Sequence, residues 1–240
     1  MQVLMPDSPL NGAERALQHS FRKSQIFNGL VLFSTLLAAY LPIRALPDLR
    51  PKPAAIDLLT YRPVQLPEPA PPLRLAGAWD LDTGDRRFGG LSALAFDHGR
   101  FLSVSDRGSV LRFDGPGSAN PHIQLSDLRD GPGPFAKKWS RDAESLAPDP
   151  QGRGWWVGYE QNHSLWLYPP QFGRSEAHTD LNRADWWNNR GAEGLVADGR
   201  GLLVLAENGR EAMPVVNGHA TRLTLHAGAD VADAATAPDG

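Results

Sequence analysis

Acidic and hydroxyl side chains recur at matched spacings from residue 92 onward. Glu144 and Glu160 lie 16 residues apart in RDAESLAPDPQGRGWWVGYEQN, residues 141–162. Glu193 and Glu207 lie 14 apart, as do Ser92 and Asp106. Asp233 takes the leading position once more near the end. Carboxylates gathered in one confined place can hold a hard cation through their oxygens. With displaced pKa values they can also act as general bases.

These residues sit on a repeat. GLSALAFDHGRFLSVSDRG (90–108), DAESLAPDPQGRGWWVGYEQN (142–162) and GAEGLVADGRGLLVLAENG (191–209) share one pattern, and VADAATAPDG (231–240) begins another copy. The leading residue is Ser92, Glu144, Glu193 or Asp233. Two short apolar runs flank an Asp/Gly turn, and a carboxylate closes each complete copy: Asp106, Glu160 or Glu207. Such runs read as antiparallel hairpins, with further strands at 109–113, 164–168 and 221–225. Copies start 52, 49 and 40 residues apart. That period, with several strands per copy, predicts an all-β fold of propeller blades. About three blades and the start of a fourth are expected, following an N-terminal hydrophobic helix. The two ends of a hairpin meet at one end of the blade. The acids should therefore converge on one mouth of the central channel. Like charges there require raised pKa values, a cation or basic partners. Ca2+ suits a carboxylate ring, since it takes roughly 6–8 oxygen ligands.

Competing readings exist for several residues. Arg141 and Arg190 each precede a glutamate by three positions, so simple ion pairs with Glu144 and Glu193 would also explain the acids. Asp97, Asp149, Asp198 and Asp239 read as turn residues. Trp186, Trp187, Asn188 and Asn189 form either a ligand platform or interblade packing. Lys137, Lys138 and Arg141 suit a phosphate contact or a solvated loop equally. Ser92 lacks the second glycine of a nucleophile elbow, and the 7 histidines show no metal-ligand spacing.

Composition narrows the class. The 240 residues carry a net charge of -3 with no basic stripe, which argues against nucleic-acid binding. No cysteine is present, which excludes disulfides, thiolate metal sites and cysteine nucleophiles. The 24 glycines and 21 prolines favour turns and short strands. After a polar segment (1–25), residues 26–43 are apolar and near the length that spans a bilayer, with Arg22 and Lys23 before them. A membrane anchor is expected there, with a cleaved signal peptide as the competing reading; either exports the remainder. Residues 44–72 are rich in proline and read as an extended linker. The repeats fill 73–240, and 73–81 would be the outer strand that closes the last blade. Because the pattern stops inside a fourth copy, the expectation is a fragment or a ring completed by a second chain.

The three complete copies resemble the phytase-like family described as having esterase-like activity, through its serine-plus-SDRG, DAE…E and GxEG…E elements in that order. The likeness covers residues 73–240. It implies an exported propeller that uses Ca2+ to hydrolyse phosphate or other esters, with a small anionic ester as substrate. A periplasmic or extracellular site, tethered through 26–43, goes with it. By position the resemblance transfers Ser92, Asp106, Arg107, Asp142, Glu144, Glu160, Glu193 and Glu207. Asp106, Asp142, Glu144, Glu160, Glu193 and Glu207 would ligate metal. Glu144 and Glu193 would be catalytic, and Arg107, Arg141 and Arg190 would hold the anion. A non-enzymatic binding module, or a lactonase similar to the gluconolactonase propellers, are the alternatives.

Overall fold

A computed structural model describes residues 51–71, 74–135, 138–181, 186, 190–226 and 228–235. The chain divides into two compact units, 1–47 and 48–240. The first unit, with the expected polar segment, apolar helix and anchor, lies outside the described residues. Among the described residues no helix is long and apolar enough to cross a membrane.

The described chain is all-β apart from a single 3-10 turn at Lys138–Ser140. It opens with β1 (Ala55–Leu58), β2 (Thr60–Pro63) and β3 (Trp79–Asp82). The first repeat supplies β4 (Leu91–Asp97), β5 (Arg100–Ser105), β6 (Ser109–Phe113) and β7 (His122–Asp127). These make an antiparallel meander, with β1 added along β7 at the outer edge. The second sheet is β8 (Ala143–Pro148), β9 (Trp155–Tyr159), β10 (Ser164–Tyr168) and β11 (Ala177–Asp180), in that order. The third is β12 (Ala192–Asp198), β13 (Gly201–Ala206) and β14 (Glu211–Val216). It is finished by β15 (His219–Ala220) and β16 (Leu223–Thr224), both paired to β14.

Turn chemistry explains the hairpins. His98-Gly99 joins β4 to β5, with φ values of 50° and 82°. Asn217-Gly218 joins β14 to β15 at 51° and 76°. Both two-residue loops need positive φ twice, the backbone that matches the twist of the flanking strands. Asp149 and Asp198 act as turn residues, as expected; the Asp97 carboxylate instead pairs with the Arg112 and His98 side chains, and Asp239 lies outside the described residues. Asp198 accepts from the amides of Arg200 and Gly201, and Asp149 from those of Gln151 and Arg153.

The sheets stack face to face, with β4, β8 and β12 as successive neighbours, as the first strands of propeller blades are. Leu102, Val104 and Val110 pack on Leu146, Val157, Tyr159 and Tyr168. Trp156, Leu165 and Leu167 pack on Leu195, Val204, Met213 and Val215. Each fully buried aliphatic side chain here contributes roughly 1.5–3 kcal/mol. The middle sheet is covered on both faces, so WWVGY is buried along its whole length. On the far side of the first sheet, Leu111, Phe113, Ile123 and Leu125 meet Leu59, Tyr61 and Leu81.

Two expectations change. The proline-rich linker holds β1 and β2, which fit between Pro53 and Pro63 and belong to the second unit. Edge pairing tolerates the flanking prolines, which lack an amide donor. The segment expected to close a last blade instead gives β3, paired with β2. The beginning of the fourth copy lies across the third and first sheets. The Val231 amide donates to the Glu207 carbonyl at 2.8 Å, and the Asp233 carboxylate accepts from the Leu94 amide.

Candidate functional site

The first strand of each of the three larger sheets carries the same irregularity. In β4 the register steps from Leu91↔Ser105 to Ala93↔Val104, so Ser92 has no partner across the ladder. In β8 it steps from Ala143↔Tyr159 to Ser145↔Gly158, leaving Glu144 out. In β12 it steps from Ala192↔Ala206 to Gly194↔Leu205, leaving Glu193 out. Each leading residue of the repeat is thus the extra residue of a β-bulge, a device that re-aims a side chain. One further backbone bond follows each bulge. The amides of Asp106, Glu160 and Glu207 donate to the carbonyls of Gly90, Asp142 and Gly191, at 2.9, 2.9 and 3.2 Å. The closing acids therefore face Gly90, Asp142 and Gly191, two residues before the bulged ones.

Two sets of carboxylates result. Asp142, Glu144 and Glu160 form one, and Glu160, Glu193 and Glu207 the other, each with oxygens lying within 4.8 Å of one another. Glu160 belongs to both and is 9% exposed. The first sheet contributes through Ser92, whose hydroxyl donates to Glu144. Burial pushes Glu144 up to about 8, with the charges of Asp142 and Glu193 adding to it and Ser92 opposing. Burial likewise lifts Glu160 to about 7, helped by Asp142 and Glu207. Glu193 also reaches about 7 through burial and its acidic neighbours Glu160, Glu207 and Asp142. Burial is the largest cause of all three shifts, and acidic neighbours add to each.

Each set has the donors for a divalent cation, Asp142, Glu144 and Glu160 in one and Glu160, Glu193 and Glu207 in the other. Oxygens on opposite sides of Ca2+ stand roughly 4.6–5.2 Å apart, so the spacing within each set suits a common ion. Asp106 belongs to neither set; it sits against Gly90, where a Cβ would meet its carboxylate, and beside Arg107 Nε at 3.9 Å.

The three arginines differ in place. Arg107 and Arg190 have about half of their side chains exposed, and Arg190 Nε lies 3.9 Å from Glu207. Arg190 therefore stands beside the acid that closes its blade rather than pairing with Glu193. Arg141 is 5% exposed. Its Nη1 donates to the Asp130 carbonyl and its guanidinium lies 5.3 Å from the centre of the Phe135 ring. It also bonds Tyr159, whose hydroxyl is 2.8 Å from that of Tyr168. The structure places Arg141 in the wall, against the expectation of a substrate contact or an ion pair with Glu144. Trp186 is interblade packing, donating to Glu211 at 2.6 Å; Trp187, Asn188, Asn189 and Lys137 lie outside the described residues.

Residue chemistry alone missed the bulges and the glycine opposite Glu160. A Cβ on Gly191 would lie 2.5 Å from Glu160 Cα. The signal was the small residue two places before the acid, present in GLS and GAE.

A family model described as "Phytase-like: Esterase-like activity of phytase" matches residues 86–235. No curated protein matches. Among solved structures, the chain is similar to a protein from Lactobacillus plantarum (17% identity, TM-score 0.41, 64% of this chain and 49% of that one). It is also similar to the Cps50 (Swd1) β-propeller domain of Myceliophteria thermophila (13% identity, TM-score 0.35, 58% and 42%). A third is the dihydro-heme d1 dehydrogenase NirN (17% identity, TM-score 0.33, 55% and 28%). The chain thus spans half or less of the length of each of these structures.

Proposed function

The chain belongs to the phytase-like family, and we propose that it hydrolyses ester bonds at the acidic mouth with Ca2+ bound there. The observation that carries this reading is the pair of carboxylate sets joined at Glu160. Desolvated acids crowded in this way are stable when protonated or when a cation is present. A bound Ca2+ would supply polarisation of a phosphoryl or acyl oxygen.

The remaining chemistry falls to the chain's own residues. A water oxygen bonds to the phosphorus or acyl carbon, and the ester oxygen leaves as an alcohol. Either Glu144 or Glu193 takes up the proton that the water loses and returns it to the departing ester oxygen, which completes the alcohol. Their raised pKa values bring them near neutral pH, where a general base works best. Arg107 and Arg190 stand at the rim as partners for an anionic ester. The protein works outside the cytoplasm, tethered or exported through 26–43. Its sheets are three propeller blades, with 231–235 beginning a fourth.

The test is turnover of 4-nitrophenyl phosphate and 4-nitrophenyl acetate, with Ca2+ and with chelator. Activity that needs Ca2+ and is lost in Glu144→Gln/Glu193→Gln is expected. Metal-independent turnover, or full activity in the double variant, overturns the reading. Thermal stabilisation by Ca2+ without any turnover would favour a binding module instead.

A further inference from the structure

Asp142 and Glu160 are each preceded in the chain by a buried residue, Arg141 and Tyr159. Side chains alternate along extended backbone, so the acids gather at the mouth while the residues before them enter the wall. There the two wall residues are bonded to each other. A Cβ on Gly131 would lie 2.3 Å from Arg141 Nη1 and 2.9 Å from the Tyr159 hydroxyl, so both groups close on one point of that loop. The Asp130 carbonyl accepts from Arg141 and from the Tyr168 hydroxyl, which is 2.8 Å from that of Tyr159. The acids themselves are joined through their backbone, the Glu160 amide donating to the Asp142 carbonyl at 2.9 Å. Asp142 and Glu160 are thus tied twice, once through the main chain and once through the side chains that precede them.

The other two copies are built differently. Gly90 and Gly191 stand where Asp142 does, and Ser105 and Ala206 stand where Tyr159 does. Arg190, which matches Arg141, keeps about half of its side chain exposed beside Glu207. The extra acid and the buried arginine–tyrosine bond therefore occur together, in the second copy. Asp142 has need of such support. It hydrogen-bonds both Glu144 and Glu160, and like charges drive it away from them once all three ionise. We propose that Arg141 and Tyr159 are positioning residues whose bond holds Asp142 against Glu160, so that the first carboxylate set is formed before a cation enters it. Partners behind the ligands that fix them in this way lower the cost of binding the ion. The inference rests on the cation reading of the acids and on no step of hydrolysis.

Calorimetric titration of the full, chelator-treated chain with Ca2+ tests this. The parent binds, and Tyr159→Phe, which removes one hydroxyl, weakens binding about tenfold. Arg141→Lys weakens it as well, since an ammonium lacks the fork that serves the Asp130 carbonyl and Tyr159 together. Tyr61→Phe is the control. It takes the same hydroxyl from a bond to the Asp114 carbonyl, on the far side of the first sheet, and leaves Ca2+ affinity unchanged. Because the bond acts through Asp142, Tyr159→Phe changes the affinity of an Asp142→Asn chain by less than about twofold. Parent affinity in both Tyr159→Phe and Arg141→Lys overturns the proposal, as does a loss of equal size with and without Asp142. An equal loss in Tyr61→Phe overturns it in favour of general destabilisation. A parent that binds no Ca2+ overturns the proposal together with the cation reading. The expected losses in a chain that turns over no ester support the positioning role and defeat the hydrolase reading alone.

Discussion

Gly191 of the third sheet lies against Glu160 of the second so closely that a Cβ would stand 2.5 Å from Glu160 Cα and 2.7 Å from its Cγ. This contact lets the two blades' acids share a site, because the backbone that precedes Glu193 runs directly beside Glu160. Gly191→Ala is expected to part the blades there and cost about 1–3 kcal/mol. Gly199→Ala, where nothing lies within 4 Å of the added atom, serves as the control. Thermal unfolding and Ca2+ titration of both variants check this; equal behaviour would refute the role of the contact.

Glu160 is the residue common to both carboxylate sets. Glu160→Gln should therefore weaken Ca2+ binding more than Glu207→Gln, which touches one set. A difference of about tenfold, or 1.4 kcal/mol, is expected in calorimetry. Equal losses would show that the two sets do not share an ion site through Glu160.

Without metal, rising pH should destabilise the protein. Glu144, Glu160 and Glu193 have folded pKa values of about 8, 7 and 7, above the ordinary 4.5. The folded state then holds protons that the unfolded chain releases. The stability is present below the unfolded value and is lost as pH rises through the folded values. Melting temperature in chelator should fall between about pH 5 and pH 8, and Ca2+ should restore it at the alkaline end. A Tm that climbs over this range in chelator would contradict the desolvated cluster.

The arginines should separate by position. Arg141→Ala leaves the Asp130 carbonyl, Phe135 and Tyr159 without their shared partner. It is expected to cost about 3 kcal/mol, as breaking a buried charged contact does. Arg107→Ala and Arg190→Ala should raise KM for a phosphate ester while unfolding stays within about 0.5 kcal/mol of the parent. A KM effect confined to Arg141→Ala would reverse the assignment.

Asp149 anchors more than its turn. It accepts from Arg153 Nε and Nη2 at 2.9 Å each and from Trp156 Nε1 at 2.8 Å. The Arg153 bond chiefly lowers its carboxyl to about 2. A depressed pKa gives stability that is present above the unfolded value and lost as pH falls through the folded one. Asp149→Asn should remove that acid-side dependence and lower stability by roughly 1–3 kcal/mol at neutral pH. An unchanged acid limb in urea melts would count against it.

The hairpins and their acids were legible because Asp/Gly turns and apolar runs leave a local mark. SVLRF and SLWLY appear as β6 and β10 at the expected residues. The alignment of Ser92 with Glu144 and Glu193 also holds. What the pattern does not carry is the one-residue step that frees each of them, since a bulge changes register without changing composition. The direction of Arg141 was illegible for a different reason. It depends on Gly131, ten residues earlier, whose φ is 150° and where a Cβ would lie 2.3 Å from Arg141 Nη1. In β1 the prolines dominated the reading, although they only flank the strand.

The repeated bulge separates what a blade needs from what the mouth presents. Cross-strand hydrogen bonding passes over Ser92, Glu144 and Glu193, so each blade folds with little regard to what stands there. One sheet shows a hydroxyl and two show acids, which behave as interchangeable fittings on a common socket. New specificity can therefore arise by single substitutions at these sockets, with the sheets left intact.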